Sequence, residues 1–164
     1  MRYTLKHKLI SFGGDSMIRD DHGHDVYFVD GAAIAITRKL LIKDMQGKEL
    51  ASIVKDLIAL TPSFEIHMKD GLSAHVSIKM LSINDRLKID IPGPHDLEAR
   101  GDIFHHEYAI VYGNREVAHV SKRWIALTDS YGVEVDDDQD QAFLLACAVV
   151  IDEILELKER ADRE

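Results

Sequence analysis

Ten consecutive apolar residues near the C-terminus, residues 142–151 (AFLLACAVVI), constrain this chain more than any other feature. Read as a helix, the segment has no polar face, and a helix that is apolar all round must be surrounded by protein on every side. Its length is only about 15 Å, roughly half the hydrocarbon thickness of a bilayer, which disfavours a transmembrane segment. The sequence therefore predicts a buried helix enclosed by the rest of the chain, with no membrane-spanning segment.

The residues that flank this run predict where the helix begins and where it leaves its enclosure. Four aspartates precede it, and Asp138 followed by Gln141 has the spacing of a capping box, so Asp138 is the predicted N-cap. Beyond Asp152 and Glu153 the apolar residues fall on one face only, which is typical of a helix emerging into solvent.

The first 133 residues read as a series of short strands separated by turn signals, about twelve strands in all. The first strand is expected over residues 5–12. Gly23, Gly47 and Gly71 are evenly spaced, and each follows an aspartate and an apolar segment. This internal repeat predicts successive hairpins, because glycine supplies the positive φ that tight turns require.

Twelve strands and one wholly apolar helix are both accommodated if the strands close into a barrel around the helix. Closure also removes the exposed edges that so many strands would otherwise create. The alternative is a two-sheet sandwich with the helix packed on one side, but that arrangement leaves one helix face in water. We therefore expect a mainly β (α+β) fold, a closed antiparallel β-barrel of about twelve strands around a central C-terminal helix, forming a single domain over residues 1–164.

Charge and cysteine content exclude several classes of protein. The net charge of the 164 residues is −9, and residues 134–164 hold nearly all of the excess. A nucleic-acid surface needs a basic face, so no nucleic-acid partner is expected. The single cysteine, Cys147, lies inside the apolar run, which rules out a disulfide framework. The N-terminus lacks the apolar stretch of a secretory signal, and we expect a cytoplasmic protein.

Three segments together resemble the LURP-one-related family over essentially the whole chain: residues 9–15 (LISFGGD), 118–124 (AHVSKRW) and 129–135 (DSYGVEV). The apolar helix preceded by aspartates completes the pattern. That family belongs to the Tubby C-terminal-like superfamily, alongside the phospholipid scramblases. The resemblance implies a twelve-stranded barrel threaded by a C-terminal helix, in agreement with the residue patterns. It leaves the function open, because a fold does not determine a function.

Enzyme signatures are scarce. The sequence has no Walker-type phosphate loop, no Gly-x-Ser-x-Gly elbow and no His-Glu-x-x-His helix. The nine histidines do not predict a metal site either, because His105 and His106 would point to opposite faces of a regular strand and no cysteines stand at ligand spacing. We expect no catalytic residues and no cofactor, with calcium as the one exception.

The calcium hypothesis concerns the acidic segment before the helix. Calcium takes six to eight oxygen ligands, and this short segment is rich in carboxylates. Scramblases carry a proposed calcium segment at the same place. The resemblance puts Asp129, Tyr131-Gly132 and Asp138 on matching positions, but it puts Leu127 where that pattern begins with a carboxylate. Helix capping and solubility explain the same residues without an ion. The candidate ligands are Asp129, Glu134, Asp136 and Asp138.

A lipid-headgroup hypothesis concerns short basic clusters, for which solvated strand faces are the alternative explanation. Kinship with Tubby domains implies phosphoinositide binding on such a patch. We thus expect a non-catalytic binding or scaffold module whose ligand is open, the alternative being a phosphoinositide- or calcium-responsive membrane-associated protein. The partner is an unknown protein or a lipid headgroup, and the oligomeric state is open. The candidate basic residues are Arg38, Lys39, Lys43, Lys122 and Arg123.

Overall fold

The described residues, 1–12, 14–31, 39–78, 87–92 and 96–164, form a closed antiparallel barrel in a computed structural model. The strands follow chain order around the ring, and β1 pairs with β12 to close it. The prediction of a twelve-stranded closed barrel is confirmed. The strands are β1 (Arg2–Lys6), β2 (Ser16–Asp20), β3 (Asp25–Asp30), β4 (Lys39–Asp44), β5 (Glu49–Lys55), β6 (Ser63–Met68), β7 (Ser73–Ile78), β8 (Leu87–Asp90), β9 (Leu97–Asp102), β10 (Glu107–Tyr112), β11 (Arg115–Ser121) and β12 (Ser130–Val135).

Side chains of the wall alternate between the interior and the solvent, as expected of a sheet with one buried face. In β4, Leu40 and Ile42 are buried, and in β6, Phe64 and Ile66 are buried. These inward side chains join one apolar core with the C-terminal helix. Removing this apolar surface from water is the main favourable contribution to folding.

The central helix confirms the interpretation of the apolar run. Helix α2 (Gln141–Arg163) follows the short helix α1 (Leu9–Phe12), and its residues 142–156 are all buried. Its small side chains, among them Ala146 and Ala148, keep the helix thin enough for the barrel to enclose it. Within the described ranges, every helix is too short or too polar to cross a membrane.

One end of the barrel, here called the N rim, is where α2 begins. It comprises residues 21–24, 45–48, 69–72, 113–114 and 136–140. Gly23, Gly47 and Gly71 have φ values of +82°, +85° and +102° there, a region that glycine adopts without steric cost. Asp20 and Asp44 each accept hydrogen bonds from two amides of the following turn at 2.9 Å. The predicted hairpins are confirmed.

The opposite end, the C rim, is where α2 leaves the barrel. Its described part comprises residues 7–12, which include α1, together with residues 14–15, 56–62, 103–106 and 122–129. Residues Ile103–His105 form a single 3-10 turn. The C rim therefore consists of longer and less regular connections than the N rim.

The predicted first strand over residues 5–12 is wrong. Strand β1 ends at Lys6, and α1 begins at Leu9. Between them Lys8 has a φ of +60°, a left-handed conformation that interrupts a strand. No glycine or proline marks this turn, so the sequence contains no local signal for it.

Two expectations about α2 are also corrected. The N-cap is Asp140 rather than Asp138, because the Asp140 carboxylate accepts a hydrogen bond from the Phe143 amide at 3.1 Å. Asp138 instead forms an ion pair with Arg115 at 2.6 Å. The helix also remains enclosed beyond residue 152, so three acidic side chains lie buried near the C rim: Asp152, Glu153 and Glu156.

Candidate functional site

The carboxylate of Asp152 lies inside the C rim, where its side chain is only 6% exposed. One oxygen, Oδ1, is 2.8 Å from Nδ1 of His7 and 2.8 Å from Nε2 of His106. The other oxygen accepts a hydrogen bond from the backbone amide of Lys8 at 2.7 Å. A buried charge must be paired and hydrogen-bonded, and these three donors meet that need. We call His7, His106 and Asp152 the Asp152 cluster.

Uncommon backbone conformations place the donors of this cluster. Within the described part of the chain, Lys8 and His106 are the two non-glycine residues with positive φ, at +60° and +56°. His106 directly follows the 3-10 turn, and its amide donates to the carbonyl of Ile103 at 3.1 Å. Such conformations cost roughly 1–3 kcal/mol each and are concentrated at functional sites. Both strained residues donate to the same carboxylate, which offsets part of this strain.

The electrostatics of the site are set by the competition between burial and hydrogen bonding at Asp152. Burial raises the pKa of this carboxyl, but the hydrogen bonds from His106, His7 and the Lys8 amide outweigh that effect and lower the pKa to about 2. Asp152 is therefore ionised at neutral pH. Burial, with a contribution from this charge, raises the pKa of Tyr131 well above its usual value. The Tyr131 ring packs 4.8 Å from the ring of His7.

A cavity of about 330 Å³ opens beside the Asp152 cluster. Glu156, on the next turn of α2, is buried and forms ion pairs with Arg160 at 3.0 Å and Lys8 at 3.4 Å. A cavity of this size accommodates a small ligand or a hydrated ion. The lining residues are His7, Lys8, His106, Thr128, Asp129, Asp152, Leu155, Glu156 and Glu159.

The three side chains of the cluster are of types that can ligate a metal ion. One ligand atom each from His7, His106 and Asp152 lies within 4.8 Å of the other two. Among the described residues, this is the one set of three or more potential metal ligands that meet in this way. The thiol of Cys147 is fully buried on α2, and burial raises its pKa. A thiol in that environment is a poor nucleophile.

The four carboxylates considered for calcium lie in different places. Asp129 precedes β12 at the C rim, whereas Asp136 and Asp138 follow it at the N rim, about 20 Å away along a six-residue strand. Arg115 pairs with both Asp136 and Asp138, and its hydrogen bond lowers the pKa of Asp138. Glu134 faces outward and pairs with an arginine of β1 at 2.8 Å. The structure thus brings together Asp136 and Asp138, and a guanidinium occupies the space between them.

The five basic residues of the lipid hypothesis are also dispersed. Arg38 lies outside the described residues. Lys43 pairs with Asp30 at 2.9 Å on the outer wall, while Lys39 begins β4 at the C rim. Lys122 and Arg123 lie in the C-rim segment 122–129. Lys39 and the pair Lys122–Arg123 therefore share one end of the barrel but not one patch.

Comparison with known proteins places the chain in a family. A sequence model of LURP-one-related proteins matches residues 1–152, from β1 to the Asp152 carboxylate. The chain belongs to the LURP-one-related family. It is 28% identical over 151 residues to the uncharacterized protein YxjI of Bacillus subtilis (strain 168), and the match covers 92% of this chain and 91% of that protein. Its fold resembles an X-ray structure of a protein from Arabidopsis thaliana with a TM-score of 0.65 and 15% identity, over 93% of this chain and 91% of that one.

Two of the segments that carry the family resemblance pack against each other in this LURP-one-related protein. Trp124 lies over Gly132, where an added Cβ would come within 2.9 Å of the indole ring. The guanidinium of Arg2 covers the same ring at 4.1 Å. Because the indole ring lies this close, the β12 position beneath Trp124 has no room for a side chain larger than that of glycine.

Sequence reasoning missed the Asp152 cluster of this LURP-one-related protein. A regular strand would point His105 and His106 to opposite faces, but His105 ends the 3-10 turn and His106 adopts a left-handed conformation. The usable signal is Asp152 itself, a carboxylate directly after ten apolar residues. A charge at the end of an enclosed segment requires polar partners from the wall.

Proposed function

We propose that this LURP-one-related protein is a non-catalytic binding module that binds an anionic membrane surface through the C rim of its barrel. The first support is that α2 fills the barrel interior. Residues 142–156 of α2 fill it with buried side chains, so a partner has to bind at a rim or on the outer wall.

The observation that carries the proposal is the exposure of large apolar side chains at one end of the barrel. Leu57, Ile58 and Leu60 in segment 56–62 are 70%, 92% and 100% exposed, and Leu127 in segment 122–129 is 61% exposed. At the N rim or next to it, Met1, Met45 and Tyr112 are 54%, 44% and 41% exposed. The four most exposed large apolar side chains of the described residues therefore lie at the C rim, and a cluster of exposed apolar groups marks an interaction surface.

The positions of the two segments favour a flat partner. One segment joins β5 to β6 and the other joins β11 to β12, so they lie on opposite sides of the twelve-stranded ring. A planar surface contacts both at once, whereas a peptide in a groove contacts one. The interface of a bilayer accepts apolar side chains a few ångströms deep while charged neighbours stay among the headgroups.

The charge distribution supports the same orientation. Cations adjoin both apolar segments, Lys55 the first and Lys122 and Arg123 the second, and Asp56 and Asp129 balance part of this charge. The N rim is more acidic, because residues 136–140 include four aspartates. An anionic leaflet attracts basic residues by about 1 kcal/mol each. The last turns of α2 leave at the C rim with charges of both signs, which suits the headgroup layer and limits insertion to a shallow depth.

Flotation with liposomes tests this proposal. Wild-type protein should float with vesicles containing phosphatidylserine at low salt and remain soluble with pure phosphatidylcholine. The variant Leu57→Ser/Ile58→Ser/Leu60→Ser should reduce the bound fraction at least about tenfold, because each leucine-sized side chain contributes about 1.5–3 kcal/mol when fully buried. The matched control Met45→Ser, at the other rim, should bind as wild type does.

Wild-type protein that stays wholly soluble at low salt contradicts the proposal, as does a triple variant that floats like wild type. Self-association that the triple variant abolishes assigns the same surface to a protein contact instead. Phosphoinositide vesicles and millimolar calcium, added in separate arms, show whether either ligand strengthens binding. An increase with calcium that Asp136→Asn/Asp138→Asn removes would assign the effect to the N rim.

A further inference from the structure

We infer that His7, His106 and Asp152 form a binding site for a divalent first-row transition cation such as Zn²⁺. The three side chains come from distant parts of the chain: the connection after β1, the residue after the 3-10 turn and the fourth turn of α2. Their ligand atoms nevertheless lie within 4.8 Å of one another. This inference does not depend on membrane binding, since it concerns different residues and is tested without lipid.

The donor set selects the class of cation. Two imidazole nitrogens and one carboxylate oxygen suit zinc and ferrous iron, whereas calcium takes six to eight oxygens. Ligand atoms in a tetrahedral zinc site are about 3.3 Å apart, given zinc–nitrogen distances of about 2.0–2.1 Å. The present distances of 2.8 Å from Asp152 to each histidine are those of hydrogen bonds. Each histidine nitrogen must therefore move about half an ångström away from Asp152, and the two imidazole nitrogens, now within 4.8 Å of each other, must reach the same spacing.

Proton balance is simple at this site. Nδ1 of His7 and Nε2 of His106 now face Oδ1 of Asp152, so the nitrogen of each imidazole that forms this hydrogen bond is the one that would bind the cation. When a cation enters, each imidazole carries its proton on the other ring nitrogen, and the facing lone pairs become ligands.

The surroundings supply a second shell and an open side. The Lys8 amide donates to Oδ2 of Asp152 at 2.7 Å, an outer contact of the kind that orients a ligating carboxylate. The cavity of about 330 Å³ adjoins the cluster, with the carboxylates of Asp129 and Glu156 in its lining. Three protein ligands and an open position for water or a further carboxylate make up a zinc coordination sphere.

The competing interpretation is that the cluster only fastens α2 to the wall by hydrogen bonds. Both interpretations predict lower stability when Asp152 is replaced, so stability alone does not separate them. The two interpretations differ in the response to metal, because a cluster that only hydrogen-bonds α2 to the wall has no specific affinity for zinc. The decisive variants must therefore be compared by metal affinity.

Isothermal titration of tag-free, metal-depleted protein with Zn²⁺ is the test. We expect one zinc ion per chain, a rise in melting temperature with zinc, and no comparable response to Ca²⁺. His106→Gln and His7→Gln should each weaken zinc affinity at least about tenfold. His105→Gln is the matched control: His105 is the preceding residue, 80% exposed and paired with Asp102, and its replacement should leave affinity unchanged.

Wild-type protein that binds no zinc overturns the inference. So does binding that survives His106→Gln and His7→Gln but is lost in His105→Gln or His22→Gln, since that places the ion on the surface. If the cluster variants fail to fold, X-ray absorption of the wild-type zinc complex decides. Two imidazole ligands support the site, and a spectrum without imidazole scattering overturns it.

Discussion

Nε2 of His106 lies 2.8 Å from Oδ1 of Asp152, 46 positions further along the chain. The barrel wall is therefore hydrogen-bonded to the central helix through the buried Asp152 carboxylate. Apolar contacts along α2 are non-directional and tolerate a shift of the helix along the barrel axis. A hydrogen-bonded carboxylate does not tolerate such a shift. We therefore expect the Asp152 cluster to determine the position of α2 as well as to stabilise it.

Replacing the carboxylate tests its contribution to stability. Asp152→Asn keeps the shape of the side chain but removes the charge, and its NH₂ group faces either the Lys8 amide or the two histidines, which then have no acceptor. We expect the free energy of unfolding to fall by about 3 kcal/mol, since breaking one side of a buried pair leaves polar groups unsatisfied. Urea denaturation measures the change. The control Asp102→Asn, which removes the exposed partner of His105, should change stability by well under about 1 kcal/mol, and equal midpoints for the two variants would contradict the expectation.

The low pKa of Asp152 predicts a specific loss of stability in acid. Folding lowers this pKa from its ordinary value of about 3.9 to about 2. The ionised form is therefore favoured by folding, and its contribution is fully present above about pH 4 and disappears as the pH falls toward 2. The difference in unfolding free energy between wild type and Asp152→Asn should shrink by on the order of 2 kcal/mol across this window. A difference that stays constant from pH 4 to pH 2 would show that the carboxyl is not perturbed in this way.

The enclosure of α2 makes Cys147 a probe of the barrel. Its thiol is fully buried, and burial raises its pKa. We expect a water-soluble thiol reagent to react only as fast as the protein unfolds, and rapidly once denaturant is present. The labelling rate in native buffer, compared with the unfolding rate, measures this. Rapid labelling of the folded protein would mean that the helix is accessible.

The barrel and its helix were predictable because their signals are local. Ten apolar residues without a polar face require an enclosure, and the evenly spaced glycines at positions 23, 47 and 71 mark turns of known geometry. Both features depend on residues close together in the chain. The closure of β1 on β12 followed from the need to surround the helix rather than from any pairing signal.

The Asp152 cluster was not predictable because its geometry arises from long-range contacts. His7 contacts Asp152 across 145 positions of the chain. Lys8 and His106 adopt left-handed conformations without being glycines, so the sequence does not indicate these turns. The pairing of Arg115 with Asp136 and Asp138 likewise depends on the fold, which brings the start of β11 next to the connection between β12 and α2. Residues 57–60 are apolar in sequence, and only the fold shows that their side chains face outward.

Nuclear magnetic resonance of ¹⁵N-labelled protein with phosphatidylserine-containing nanodiscs is the most direct test of binding through the C rim. The amide signals of residues 56–62 and 122–129 should shift or broaden on addition of the nanodiscs. Those of Gly23, Gly47 and Gly71 at the N rim should change far less. Changes centred on the N-rim turns, or no changes at low salt, would contradict binding through this end of the barrel.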